Sequence, residues 1–199
     1  MTNRKIKSNL IQSNLRAREF WDCSERNVCT VWLALLSMGV PKSKINAIDD
    51  EFHAVTVPQC RQDAADGILD ARFNAWLASV GITRGDIENA TKRHRERLMR
   101  AFVSREAFSV ALDVLQADLI ALLYQVSVSL GYGHKRLKRV LNYMTDYNGD
   151  AKADVARLLY IYYPDPDELP DVTDLYQRNR KLVKEQERAK VIAREMIGA

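Results

Sequence analysis

Cysteine is scarce and unpaired in this chain. The three thiols, Cys23, Cys29 and Cys60, make no even framework, so a disulfide scaffold is not expected. Cys23 and Cys29 stand six residues apart, which points them to different sides of a helix, and with His53 they lack the paired spacing of a zinc knuckle. Free thiols in a reducing cytoplasm are the expectation, with no metal and no cofactor. Catalytic signatures are missing as well: there is no Walker-type phosphate loop, nucleophile elbow, dinucleotide fingerprint or His-Glu-x-x-His. The acidic groups Asp49-Asp50-Glu51 and Asp165, Asp167, Glu168 lie beside no strand end, which leaves a non-enzyme as the reading. Strand alternation is absent too. Ala54-Val55-Thr56-Val57-Pro58 is the one strand-like patch, and Pro58 makes it an extended connection. The longest apolar run, around Val28 to Val40, is broken by Thr30 and Ser37 and falls short of the ~20 residues that cross a bilayer. Neither a membrane partner nor an apolar leader is expected.

What the chain has in abundance is helical periodicity. Phe20, Trp21, Val28, Val31, Trp32, Leu35 and Leu36 fall along one broad side of a helix from Ser13 to Ser37. Ile45, Ile48 and Phe52 do the same after Pro41. Ile68, Leu69, Phe73, Trp76 and Leu77 mark a helix from Gln62 to Ser79, and Thr83, with Asp86 three residues on, caps one from Arg84 to Arg100. Ser104 opens a central helix through Leu115, Leu119, Leu122, Leu123 and Val126. Leu137, Val140, Leu141 and Met144 define the next, and Ala151 to Tyr163 a short one after the turn Asn148-Gly149-Asp150. The expected fold is all-α, a bundle of seven or eight helices built from helix-turn-helix hairpins over residues 1–163, with halves 1–100 and 101–163. Three prolines in Pro164–Pro170 make 164–174 an acidic linker, and 175–199 a basic C-terminal helix.

The net charge is +4, but it is unevenly spread: residues 1–19 and 175–199 are each net +4, leaving the middle near −4. Glycine turns divide the helices in a repeated pattern, Ser37-Met38-Gly39-Val40-Pro41-Lys42, Ser79-Val80-Gly81-Ile82-Thr83-Arg84 and Ser129-Leu130-Gly131-Tyr132-Gly133-His134. Glycine ends a helix at little steric cost, and the helix that follows presents unpaired N–H groups. Lys42 and Lys135 place cations in a first helical turn, where the dipole disfavours them. A bound phosphate would remove that conflict.

Gly131-Tyr132-Gly133, followed by Leu137 and Val140, resembles the helix-hairpin-helix element of DNA-binding proteins that read no sequence. The resemblance implies that amides around Gly131, Gly133 and Lys135 grip phosphate oxygens, with His134, Lys135, Arg136, Lys138 and Arg139 adding attraction. The first copy departs by carrying Pro41 in place of the second glycine, the middle copy by carrying Thr83 there and Asp86 in its opening turn. Residues 112–160 also resemble a group of uncharacterised bacteriophage and prophage proteins bearing Phe-Gly-Phe-Gly-Lys-Lys-Arg-Leu, which here reads Leu130-Gly131-Tyr132-Gly133-His134-Lys135-Arg136-Leu137. That similarity implies a mobile-element origin.

The basic run Lys92–Arg100 surrounds its helix with cations, and Arg93, Arg97 and Arg100 share one face. Tyr160, Tyr162 and Tyr163 would either stack on bases or finish a small core. The function expected from these features is a cytoplasmic, phage-type accessory protein that binds nucleic acid or a nucleic-acid-containing assembly through phosphate contacts. Two alternatives use the same surfaces: an inhibitor or adaptor acting on a host defence nuclease, in the manner of anti-CRISPR proteins, and a structural assembly subunit.

Overall fold

Nine α-helices and one π-helical turn follow one another with no strand among the described residues: α1 (Asn3–Ser37), α2 (Lys42–Glu51), the π turn (Phe52–Thr56), α3 (Val57–Ala65), α4 (Leu69–Val80), α5 (Arg84–Ala90), α6 (Lys92–Ala101), α7 (Arg105–Leu130), α8 (His134–Asp146) and α9 (Ala151–Leu159). The structure, a computed structural model, describes residues 3–102 and 104–161, with side chains from residue 16 onward. The expected linker 164–174, the helix 175–199 and Tyr162 and Tyr163 lie outside the described residues. Residues Glu19–Tyr163 form one compact unit, and the packing, contacts and sites described below lie within it. Because α2, the π turn and α3 are continuous and α5 and α6 are joined through Thr91, the described helices amount to seven rods in an all-α bundle.

Three local features differ from the sequence reading, each for an identifiable reason. Ala54–Pro58 is helical, not extended: the chain runs on through the π turn into α3, with Pro58 in the first turn of α3. A proline inside a continuous helix lacks its N–H and collides with the carbonyl four residues back. Widening the preceding turn to π spacing absorbs both defects. The helix expected over Gln62–Ser79 is broken at Gly67, which takes φ +70°, while the Ile68 amide closes back on the Asp63 carbonyl at 2.9 Å. The helix expected over Arg84–Arg100 bends at Thr91, whose buried hydroxyl donates to the Ile87 carbonyl at 2.9 Å. Such back-bonding competes with the main-chain ladder and bends helices.

Ser104 and Asp150 cap α7 and α9 through the amides of Ala107 and Ala153. Helix α9 stops at Leu159, earlier than expected, because Tyr160 turns left-handed at φ +60°. The longest apolar helix is α7, not the stretch around Val28. By length and hydropathy α7 could cross a membrane, but Leu115, Leu119, Ile120, Leu122, Leu123 and Val126 on it are buried in the bundle. The main hydrophobic core draws on residues from Val28 to Leu159, so the expected halves on either side of residue 100 share one interior.

The three glycine turns are built alike. Gly39, Gly81 and Gly131 adopt φ values of +83°, +71° and +62°, and the amide after each reaches back to a carbonyl in the last turn: Val40 to Leu35, Ile82 to Leu77, Tyr132 to Ser127. This six-to-one closure is the Schellman arrangement, which satisfies carbonyls that a helix end leaves open. Residues one, six and nine positions after each glycine are buried: Val40, Ile45 and Ile48; Ile82, Ile87 and Ala90; Tyr132, Leu137 and Val140. Each turn thus carries its own apolar anchors.

Candidate nucleic-acid interface

What separates the three turns is how the following helix begins. At the second turn, Thr83 Oγ1 accepts from the Asp86 amide at 3.2 Å, and Asp86 Oδ2 accepts from the Thr83 amide at 3.0 Å. The capping box expected from the sequence is therefore formed, and it leaves a carboxylate where a phosphate would have to sit. Asp86 also pairs with Lys138 from α8. That bond, with the Thr83 amide behind it, holds the Asp86 carboxyl below its ordinary pKa even though partial burial opposes the shift. The second turn is closed to anions.

At the third turn nothing caps α8. Gly133 supplies no side chain, and its backbone is extended. The Arg136 and Leu137 amides bond to the Gly133 carbonyl, while the amides of Gly133, His134 and Lys135 have no acceptor among the described residues. These N–H groups stand at the positive end of the α8 dipole. Gly131, Gly133, His134, Lys135, Arg136 and Arg139 are exposed. Leu137, Val140 and Leu141 point into the core, at 0%, 0% and 2% exposure, and this turns the intervening cations outward. Arg136 lies 5.0 Å from the ring centroid of the buried Tyr132, so its guanidinium rests on a fixed aromatic surface beside the free amides. Lys138 is the exception in the basic run, since its ammonium is held by Asp86.

The first turn is intermediate. Pro41 has no N–H to offer, the Lys44 and Ile45 amides close on its carbonyl, and the Lys42 ammonium sits 5.4 Å over the ring of Tyr160. Tyr160 is 84% exposed.

Arg93, Arg97 and Arg100 do not form a shared binding surface. Arg93 donates to the Tyr147 carbonyl and to Asn148 Oδ1 in the loop after α8. Arg97 is half-buried and ion-paired with Glu19 at 2.6 Å and Asp22 at 2.8 Å. Asp22 also meets Arg26 at 2.8 Å, which in turn reaches Asp150 at 2.9 Å, and Lys152 pairs with Glu25 at 2.7 Å. This lattice ties α1, α6 and the start of α9 together. Burial alone would push the Asp22 carboxyl up, but Arg26 and Arg97 outweigh it and hold the group below the ordinary carboxylate range. Next to the lattice, His94 is pushed down to about 4 by burial, and Arg97 and Arg26 act in the same direction, so it is neutral at physiological pH. Arg100 alone of the three is exposed without a partner among the described residues.

Sequence reasoning missed this lattice because its key spacings, such as Glu19 to Arg97, are long-range. Only the Asp22–Arg26 step, four apart on one helix, carries a local signal. The second-turn contact of His134 was also unsigned: its imidazole lies so near Gly81 that a β-carbon there would sit 3.0 Å from Nδ1. Cys23 and Cys29 are buried free thiols and Cys60 is half-buried. Burial pushes the Cys23 thiol up to about 12 and raises that of Cys29 still further, leaving both protonated and unreactive. Among the described residues, no group of three His, Cys, Asp or Glu side chains is placed to hold a metal ion.

Comparison with known proteins leaves the geometry to speak alone: no protein-family model, curated protein or solved structure matches the chain.

Proposed function

We propose that the protein is a non-enzymatic accessory protein, of the kind carried by phages, that binds nucleic acid or a nucleoprotein assembly through the sugar-phosphate backbone at the Gly131–Lys135 turn. The observation that carries this reading is the uncapped start of α8. Three amides without acceptors among the described residues stand beside exposed Lys135, Arg136 and Arg139, while at the sister turn the Asp86 carboxylate takes the Thr83 amide, the counterpart of Gly133, and fills the position a phosphate would need. Backbone amides accept a phosphate oxygen in place of the missing cap, and the dipole and cations favour its charge. Such contacts fix position on a strand without reading bases. Cytoplasmic location and a preference for nucleic acid over a protein partner are part of the same proposal.

The test is fluorescence anisotropy of labelled DNA and RNA over a salt series. Contact with two or three phosphates gives a log–log salt slope of about −2 to −3 on duplex DNA. A Lys135/Arg136/Arg139 triple alanine variant should flatten that slope and weaken binding at least about tenfold. Gly133→Asp is the sharper probe. Its backbone is extended and open around the missing β-carbon, so aspartate can cap α8 itself, keeping the fold while filling the phosphate position with a carboxylate. Undiminished binding by Gly133→Asp, or no binding to any nucleic acid at low salt, overturns the proposal.

A further inference from the structure

Between the π turn, α3, α4 and α7 lies a cavity of about 440 Å³, within the size range of small-molecule sites. Its walls are aromatic: Trp76 and Tyr124 meet edge to face, with ring centroids 5.7 Å apart at 82°, and the buried Phe73 adjoins them. The π turn contributes Val55 and Thr56 to the lining. Thr56 is locked by a buried hydrogen bond from its hydroxyl to Gln125 Oε1 at 2.5 Å. Π-helical turns recur at functional sites because the extra residue re-aims its neighbours, and here it directs the chain toward α7.

One side of the cavity is polar. The Asp63 carboxylate, whose side chain is 4% exposed, accepts from the Arg72 guanidinium and from Gln59 Nε2 at 2.8 Å. The guanidinium also lies 5.7 Å from the Tyr124 ring centroid. Gln59 Oε1 has no donor among the described residues, and Arg72 carries more N–H groups than Asp63 uses. Flat aromatic walls beside an open amide oxygen, a buried carboxylate and spare guanidinium donors suit a neutral planar heterocycle with donors and acceptors on its edge. A purely apolar ligand would leave those groups unmatched, and the Asp63–Arg72 pair cancels any preference for net charge.

The cavity also lies near the uncapped turn. Tyr124 precedes Leu130 by six residues on α7, and Trp76 precedes Gly81 by five on α4, so both walls end ~8–9 Å short of their turns at 1.5 Å per residue. The two turns meet where His134 packs on Gly81. From these observations, and resting on the phosphate reading above, we propose that the cavity receives an unstacked base of a single strand whose nearby phosphate is held at the Gly131–Lys135 turn.

The test compares two short single-stranded oligomers of equal length and phosphate number, one of thymidylate and one fully abasic, by competition anisotropy. The base-bearing oligomer should bind about tenfold more tightly. Trp76→Leu should erase that preference while leaving abasic affinity unchanged. Gln59→Glu, which replaces the amide that donates to Asp63 with a carboxylate, should reduce the preference severalfold, with urea unfolding of the same variant confirming that it is folded. Equal affinity of the wild-type protein for both oligomers overturns the base cavity while leaving the phosphate site standing. If neither oligomer binds, the phosphate reading has failed instead, and free thymidine decides the cavity: a shift of the Trp76 indole N–H resonance supports it, and no shift rejects it.

Discussion

The turns at Gly81 and Gly131 share a backbone, the same buried anchor positions and a mutual contact, yet they end in opposite chemistry. One helix start is sealed by Thr83 and Asp86, and the other, at Gly133, is left open. The lesson is that turn geometry and turn function are separable. Glycine and the apolar residues after it make the reversal, whereas the one or two residues at the next helix start decide whether its amides are spent or available. The pairing of Lys138 with Asp86 adds to the contrast, because the closed turn takes a cation away from the basic run of the open one.

The shared architecture can be tested first, since it predicts the largest effects. Ile87 and Leu137 are fully buried at matching positions, so Ile87→Ala and Leu137→Ala should each cost ~3 kcal/mol in urea unfolding. Values that differ by more than about half of this would break the claim that the turns are built alike. Gly81→Ala and Gly131→Ala come next. Both incur the left-handed penalty of about 1–2 kcal/mol, but only Gly81 faces a neighbour, His134 Nδ1 at 3.0 Å from the added carbon, while Gly131 has open space. Gly81→Ala should therefore cost about 1 kcal/mol more, and His134→Ala should remove the excess in a double-mutant cycle.

The caps themselves should respond with opposite signs. Thr83→Ala should lower stability by ~1 kcal/mol, and Gly133→Asp should raise it by a few tenths, more with the dipole contribution; thermal melts with and without oligonucleotide would show stability and binding moving apart. The smallest effect is electrostatic. Asp86 titrates below its ordinary value because Lys138, and after it the Thr83 amide, favour the charged form. Its contribution is complete above the unfolded carboxylate pKa and fades as pH falls through the lower folded value. The difference between wild type and Asp86→Asn should thus be under ~1 kcal/mol at neutral pH and shrink below about pH 4. No acidic residue stands in the first turn of α8, so the open turn lacks a carboxylate to play the part that Asp86 plays at the closed one.

Much of this contrast was legible in the sequence because it is local. The three glycines, the buried residues after them and the Thr83–Asp86 box are each settled within a dozen residues, and so is the outward aim of Lys135, Arg136 and Arg139 around Leu137 and Val140. What stayed hidden depends on the rest of the chain. Pro58 announces a break in almost any context, and only continuous packing on both sides turns that break into a π turn. Gly67 lies just before the apolar series that starts at Ile68, and a single glycine inside a helical stretch is no certain break. Arg93 and Arg97 read as free cations until the loop at Tyr147 and the acids Glu19 and Asp22 claim them. The aromatic cavity joins Trp76 to Tyr124 across nearly fifty residues, and no periodicity reports such a meeting.

The apolar residue sealed directly behind each glycine, Val40, Ile82 or Tyr132, also bears on the order in which the molecule assembles. Each pin joins segments only a few positions apart, so closing it sacrifices little chain freedom, and topologies rich in such nearby contacts form quickly. The charged lattice joining Glu19 to Arg97 and Glu25 to Lys152 must wait for distant segments to meet. Pulse-labelled amide exchange should find the three hinges protected early and the lattice late, with three independent starting points for collapse in one chain.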